Sequence, residues 1–342
     1  MKIPVIILSG FLGSGKTTLL LSILKESKIR GLQTIVVMNE LGKRNVGGYI
    51  IQENTGSSVE KLLDGCVCCT RREELMETLL RLIKQRPDAI YLELTGAADP
   101  EEMEKILQET SLQDKLTLHN TVTLLDAENA LEYKSRLSSD KQLIRTLRKQ
   151  LSNADLIVVN KSDLVEPEAL WRIEKVVRKY NKESEIVFTH YSKINLTPLL
   201  AGITPRQVHA HITQHTPHAF QGATLRKSTS EQSSVAVKET DEVRQSSYSQ
   251  LTAVTLTFPQ VGSKVLSKAQ LERFFREWSG SLLRAKGHVH LFEKESVQLV
   301  QYAGGNTTWE VSRYPGIPYV VFIGMNLNKT LLAERWFALF NC

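Results

Sequence analysis

The residues best equipped for chemistry stand near the start of the chain, in the run Gly10-Phe11-Leu12-Gly13-Ser14-Gly15-Lys16-Thr17. The spacing G-x-x-x-x-G-K-[ST] is that of a phosphate-binding loop when a strand precedes it and a helix follows. Both are expected here. Ile3 to Leu8 is a short apolar run rich in β-branched residues, and Thr18 to Lys28 is a helical stretch. The glycines let N–H groups turn inward and, with the helix N-terminus, form a nest for phosphate oxygens. Lys16 would reach the β- and γ-phosphates, and the Thr17 hydroxyl would be a ligand of Mg²⁺. Gly10, Gly13, Ser14, Gly15, Lys16, Thr17 and Thr18 are therefore the expected nucleotide contacts, against the alternative of a glycine-rich turn that merely matches.

Two further groups extend that site. The apolar strand expected from Asp155 to Val159 runs into Asn160-Lys161-Ser162-Asp163. An N-K-x-D run at a strand end is a guanine-reading signature: Asp163 accepts from N1 and the exocyclic amine. Adenine leaves that buried acceptor unpaired, so GTP is expected over ATP. The strand from Ala89 to Leu94 carries Glu93 near its carboxyl end, followed by Thr95-Gly96. In an open parallel sheet ligands bind beyond the carboxyl ends of strands. Glu93 is placed there to hold a Mg²⁺-bound water, and Gly96 to let backbone approach the γ-phosphate. The plain alternative for Glu93 is an ordinary charged residue at a strand end.

Cys66-Val67-Cys68-Cys69 offers three thiols within four residues. Thiolates select Zn²⁺ and other borderline or soft metals, which take three or four such ligands. Glu40, a histidine, water or a receiving protein would supply a fourth. An incomplete ligand set suits a carrier, because a closed site releases metal slowly. A redox pair and a buried structural cluster are the competing readings. His209, His211, His215 and His218, four of the eight histidines, have spacings that suit an auxiliary metal site or plain solvation.

These residues need a frame. Further strands are expected at Thr34–Met38, Val122–Asp126 and Glu185–Thr189, with helices at about 70–85 and Lys141–Leu151. In the helix after the cysteines, Leu75, Leu79 and Leu82 give one buried stripe. Ser192-Lys193 is placed as a further loop around the base. From about Leu200 to Ser249 periodicity disappears into Ser, Thr, Gln and His, which reads as a partly disordered linker. Order returns at Leu251 with four or five strands. Ser267-Lys268-Ala269-Gln270 is a capping box opening a helix with Leu271, Phe274, Phe275 and Trp278 on one face. A last helix, about 328–340, presents Leu332, Trp336 and Phe340. The expected fold class is α/β: a P-loop NTPase domain with a mostly parallel sheet flanked by helices, plus a smaller C-terminal α/β domain. The expected units are 1–200, a linker over 201–250, and 251–342.

Bulk composition is compatible with this and removes other classes. With 42% hydrophobic and 23% charged residues the chain is ordinary for a globular protein, and no apolar stretch is long enough to span a membrane. The net charge of +6 includes no run of five like charges and no aromatic–basic interleaving, so a nucleic-acid binder is disfavoured. Clustered rather than dispersed cysteines, and an N-terminus that enters its first strand at once, point to a cytoplasmic protein with reduced thiols.

Taken together, GFLGSGKTT (Gly10–Thr18), NELG (Asn39–Gly42), GCVCC (Gly65–Cys69), ELTG (Glu93–Gly96) and NKSD (Asn160–Asp163) resemble the CobW-type metal-chaperone GTPases, relatives of UreG and HypB. LLRAKGHV (Leu282–Val289) and VFIGMNL (Val321–Leu327) look like that family's C-terminal domain. The resemblance covers nearly the whole chain. It implies GTP hydrolysis with Mg²⁺, binding of Zn²⁺, Co²⁺ or a related metal at the cysteine loop, and delivery to a client metalloprotein. Catalytic roles would fall to Lys16, Thr17 and Glu93, with a homodimer left open. One departure stands out. Where the family usually has acids after N-E-x-G, this chain has Lys43-Arg44-Asn45-Val46-Gly47-Gly48, which implies slow hydrolysis. A metal buffer using GTP only as a switch ligand, and a P-loop small-molecule kinase, are the rival readings.

Overall fold

The computed structural model describes residues 2–39, 48, 51, 59–62, 70–96, 98–131, 141–206, 251–258, 266–292 and 296–340. Among these, the first structural unit is a seven-stranded sheet in the order β3-β2-β4-β1-β5-β6-β7. The strands are β1 (Ile3–Gly10), β2 (Thr34–Asn39), β3 (Val59–Leu62), β4 (Ala89–Glu93), β5 (Leu116–Asp126), β6 (Leu156–Asn160) and β7 (Glu185–Phe188). Every pairing in it is parallel. Parallel strands need crossover connections, so helices must cover both faces.

Alternation along β1 shows how the two faces are filled. Val5 and Ile7 pack with Leu75, Leu79 and Leu82 of α2 (Thr70–Ile83) and Met103 and Ile106 of α3 (Pro100–Leu107). Ile6 and Leu8 point the other way, against Leu19, Leu20, Ile23 and Leu24 of α1 (Lys16–Ile29). The expected leucine stripe of α2 is therefore buried as the spacing requires. Beside α3, a short α4 (Ala127–Ala130), then α5 (Lys141–Ser152) and α6 (Pro167–Arg178), continue the layer, packing Leu151, Ile173 and Val177 on Ile157 and Val159. Order continues past the expected start of the linker. Beyond α7 (Leu196–Leu199), Leu200 and Ile203 join the core and the Arg206 amide donates to Asp88 Oδ1 at 2.7 Å.

The second unit is a five-stranded antiparallel sheet, β11-β10-β9-β12-β8, built from β8 (Leu251–Thr257), β9 (Leu282–Val289), β10 (Gln298–Ala303), β11 (Asn306–Val311) and β12 (Tyr319–Met325). Its two described helices, α8 (Lys268–Glu277) and α9 (Lys329–Ala338), lie on one face. The expected capping box is formed: Ser267 Oγ accepts from the Gln270 amide, and Gln270 Oε1 accepts from the Ser267 amide. Leu271, Phe274, Phe275, Leu332, Trp336 and Phe340 pack there on Ala285, Val300, Tyr302, Val320 and Phe322. The other face carries Leu299, Tyr319, Val321 and Ile323, and these pack on Phe11, Leu12 and Leu143 of the first unit. The smaller sheet thus lies directly over the phosphate-binding loop.

His288, on that second face, is fully buried, 2.9 Å from Ser312 Oγ through Nδ1 and stacked on Tyr314 at 4.4 Å. Burial, reinforced by the nearby Lys286 ammonium, pushes its pKa down to about 4. The folded protein therefore keeps this imidazole neutral while the unfolded chain takes up a proton below its ordinary value. Stability should fall as pH drops from about 6.5 towards about 4, by at most roughly 1.4 kcal/mol per pH unit from this group. Urea unfolding at about pH 7 and about pH 5 should show a larger loss for the native chain than for His288→Phe. Equal losses would exclude the histidine as the source.

Candidate functional site

The site begins where β1 ends. The chain must leave the strand beside β5, and Gly10 does so with φ 120°; a Cβ there would meet Leu124 O at 2.1 Å. The loop that follows is closed by its own groups: Ser14 Oγ donates to Phe11 O at 2.8 Å. Lys16, at the start of α1, is 5% exposed and donates to Gly10 O at 2.7 Å and Phe11 O at 3.0 Å. Those carbonyls hold the ammonium over the loop. Next to it, Thr17 Oγ1 donates to Glu93 Oε1 at 2.9 Å. Glu93 is brought there by register, since β4 pairs beside β1 with Glu93 opposite Leu8. A hydroxyl and a carboxylate side by side are the hard oxygen donors that Mg²⁺ takes, so these residues fit that ion.

The N-K-x-D run approaches from the other side. Asn160, 4% exposed, donates through Nδ2 to Ser14 O at 2.9 Å and accepts through Oδ1 from the Ser192 amide at 2.8 Å. Ser192 Oγ in turn donates to Gly15 O at 3.2 Å. This knot requires Gly15: with φ 106°, a Cβ there would lie 2.4 Å from Asn160 Nδ2 and 2.6 Å from Ser192 Oγ. Lys161 has φ 60° and donates to Asp126 Oδ2 at 2.5 Å, which ties the run to the end of β5. Asp163 lies in the 3-10 turn Ser162–Leu164 and is exposed. It is the residue of this run left facing outward.

A cavity of about 510 Å³ joins these pieces, a volume within the range of small-molecule sites. Gly13, Gly15, Lys16, Thr17, Thr18, Glu93, Asn160, Lys161 and Asp163 all line it. Gly10, Ser14 and Gly96 do not; they support it from behind. Gly96 packs against the loop so closely that a Cβ would stand 2.5 Å from the Leu12 amide nitrogen, and Gln150 Nε2 holds that segment through Ala98 O at 2.9 Å.

Several lining residues were not singled out from sequence. Tyr191 stands at the rim beside Ser192, in the loop expected near the base. Asp126 is not part of the lining but holds Lys161 from behind it, and it had a legible signal, since it ends a strand whose partner β6 ends in Asn160, directly opposite it. The roof had none: Arg284, Gln301, Ala303, Asn306, Thr308 and Glu310 come from the second sheet. The hairpin between β10 and β11 seats that roof, with Asn306 Nδ2 donating to Glu128 Oε1 at 3.1 Å.

Glu40, Lys43 to Gly47, Cys66, Cys68, Cys69, His209, His211, His215 and His218 lie outside the described residues. Among the described residues no group of His, Cys, Asp and Glu is arranged to hold a metal, and no helix is long and apolar enough to cross a membrane.

Comparison with known proteins gives two family matches. The model described as "CobW/HypB/UreG, nucleotide-binding domain" matches residues 4–188, and "Cobalamin synthesis protein cobW C-terminal domain" matches residues 256–339. Zinc-regulated GTPase metalloprotein activator 1 of Dictyostelium discoideum is 31% identical over 230 residues, 58% of this chain and 48% of that protein. Zinc chaperone CobW of Pseudomonas aeruginosa is 29% identical over 197 residues, 50% of this chain and 52% of that protein. The chain thus spans about half the length of the curated relatives it matches. The crystal structure of Zn(II)-bound YjiA GTPase from E. coli aligns over 100% of both chains at 19% identity and a TM-score of 0.43.

Asn160 and Asp163 should separate under mutation. Asn160→Ala strands a buried carbonyl and a buried amide, so urea denaturation should show a loss of about 2–4 kcal/mol. Asp163→Ala removes an exposed side chain and should leave stability within about 0.5 kcal/mol. Equal losses would mean that Asp163 is a structural residue.

Proposed function

Because the chain belongs to the CobW/HypB/UreG family, we propose that it is a GTP-hydrolysing metallochaperone: it binds Zn²⁺ or a related transition metal as cargo and hands it to a client metalloprotein. The observation that carries the nucleotide half is the cavity itself. Lys16 and Thr17, Glu93, and the N-K-x-D residues line one space from three different strand ends.

In this reading the triphosphate lies along Gly13 to Thr18 at the N-terminus of α1, where N–H groups and the helix dipole favour anions. Lys16 binds phosphate oxygens as a point charge. Thr17 and Glu93 hold Mg²⁺, which when bound offsets phosphate charge. Asp163 accepts from guanine, while Asn160 and Lys161 keep its loop in register. Positioning and charge stabilisation provide the rate enhancement, as is general for phosphoryl transfer.

The metal half rests on Cys66, Cys68 and Cys69, with Glu40 as a further ligand, and on what the relatives' names say of those proteins. Chain geometry supports coupling to the nucleotide. Leu62, which ends β3, precedes the cysteines in sequence, and β3 is parallel to β1, so Leu62 lies at the same carboxyl edge of the sheet as the nucleotide cavity. Three strand spacings separate β3 from β1, roughly 14 Å. Linkage then makes the effect reciprocal: metal changes GTP affinity by the factor by which GTP changes metal affinity. The division into 1–200, a 201–250 linker and 251–342, a cytosolic location and auxiliary binding by the linker histidines belong to the same reading.

Two measurements test it. Asp163→Asn presents one donor and one acceptor, matching xanthine in place of guanine. GTP affinity should fall by about 100-fold and XTP affinity should rise, because the amide cannot accept from both guanine donors; an unchanged preference would remove Asp163 from base recognition. Co²⁺ titrated into the full chain with GDP or a GTP analogue should give a thiolate absorption band that is absent in Cys68→Ser, with affinity dependent on the nucleotide. A band that survives Cys68→Ser, or an affinity blind to nucleotide, would defeat the chaperone half.

A further inference from the structure

The second sheet does more than cover the cavity, because one of its cations faces into it. Arg284 on β9 lies opposite Ala303 on β10 and Ile323 on β12. Ala303 is pressed against the phosphate-binding loop: a Cβ added to Gly13 would stand 2.7 Å from the Ala303 Cβ. Directly opposed residues in an antiparallel pair keep their Cβ atoms about 4.5–5.5 Å apart. The Arg284 side chain therefore starts one cross-strand step from the loop, on the same face of the sheet. It lines the cavity with Lys16 and Thr17. Among the described residues its guanidinium makes no ion pair and no side-chain hydrogen bond.

The other cations around this space are committed. Lys161 is bound to Asp126 Oδ2, and Lys16 is anchored on Gly10 O and Phe11 O. A half-buried guanidinium facing a phosphate-binding loop, with five donors in a planar fork, is suited to phosphate oxygens.

We propose that Arg284 reaches from the C-terminal sheet to the β–γ phosphate region of the bound nucleoside triphosphate and serves as a catalytic residue, stabilising charge during hydrolysis. The inference rests on the reading that GTP occupies this cavity. In the step concerned, a water oxygen bonds to the γ-phosphorus as the bond from γ-phosphorus to the bridging oxygen breaks. GDP departs with the bonding electron pair, and the water's proton goes to the phosphate product and solvent. Negative charge builds on the bridging and γ-oxygens, and the guanidinium donates to them. Arginines acting in this way, within a chain or from a partner, are worth about 10³–10⁵ in rate in other P-loop enzymes. Here the arginine comes from a second domain of the same chain, so seating of that domain becomes a condition for turnover.

The test uses the full chain as wild type, Arg284→Ala and Arg284→Lys. Fluorescent GDP and a non-hydrolysable GTP analogue report affinity, and single-turnover hydrolysis with Mg²⁺ reports the chemical step. Arg284→Ala should hydrolyse at least ~100-fold more slowly while GDP affinity stays within about 3-fold, because the effect is confined to the transition state. Added guanidinium ion should restore part of the rate. Arg284→Lys should keep the fold and recover only part of the activity, since a point charge lacks the fork; if the alanine variant does not fold, this variant carries the comparison. Wild-type turnover in either folded variant would overturn the assignment of Arg284. A wild-type chain that binds no guanine nucleotide would overturn the reading beneath it instead.

Discussion

The structure depends on one carboxamide. Asn160 ends β6, accepts from the Ser192 amide and donates to Ser14 O, so three separate segments meet on a single buried side chain. The contact exists only because Gly15 lacks a Cβ in the space that Asn160 and Ser192 occupy. Buried polar groups of this kind are costly unless every partner is in place. The knot therefore fixes the phosphate-binding loop relative to the N-K-x-D run, and the length of the cavity between them follows. Lys161, bound to Asp126, adds a second tether from the next strand. Both tethers lie at the carboxyl edge of the parallel sheet, where every functional side chain of this unit must arrive.

Much of this was legible from residues alone, and the reason is local. β1, the glycine loop and α1 form a continuous run whose chemistry and periodicity agree, and the structure extends the expected strand only to Gly10 and begins the helix at Lys16. N-K-x-D was legible because it terminates an apolar strand. The capping box at Ser267 was legible because both of its hydrogen bonds connect residues three apart. What escaped notice depends on distant contacts. β3 is four residues long, has a charged interior and lies at the sheet edge, so no period marks it. α3 begins at a proline after the Asp99 cap, a start signal without a strong stripe behind it. Asp126 acquires its importance from pairing between β5 and β6. Arg284 acquires its own from a sheet formed more than a hundred residues away from the loop it faces.

The C-terminal sheet shows why such residues resist a linear reading. Alternation along β9, β10 and β12 is apolar on both faces, as expected of a sheet covered on both sides. One face holds Trp336, Phe274 and Phe322 in edge-on contacts under its own helices. The other joins Leu299, Tyr319, Val321 and Ile323 to Phe11, Leu12 and Leu143. From sequence, both patterns look like core. Only the fold reveals that the second is an interface, and that the polar residues interrupting it, among them Arg284 and Gln301, form the ceiling of a cavity.

Charge bookkeeping in that cavity ties the two units together. A triphosphate requires cations, and three line the space: Lys16, Lys161 and Arg284. Asp126 neutralises Lys161 at 2.5 Å, so that ammonium serves the architecture of the N-K-x-D run. Lys16 remains on the floor, held over the loop by two carbonyls that carry no net charge. Arg284 remains on the ceiling. The cations of the cavity are thus divided between two sheets that share no strand, and any movement that lifts the smaller sheet from Phe11 and Leu12 carries the Arg284 guanidinium away from the space above Lys16. An anion at the loop would feel that displacement in proportion to its negative charge, since Coulomb attraction falls with distance. On the proposed reading of the cavity, seating of the smaller sheet and the charge of the bound nucleotide are coupled through this one guanidinium.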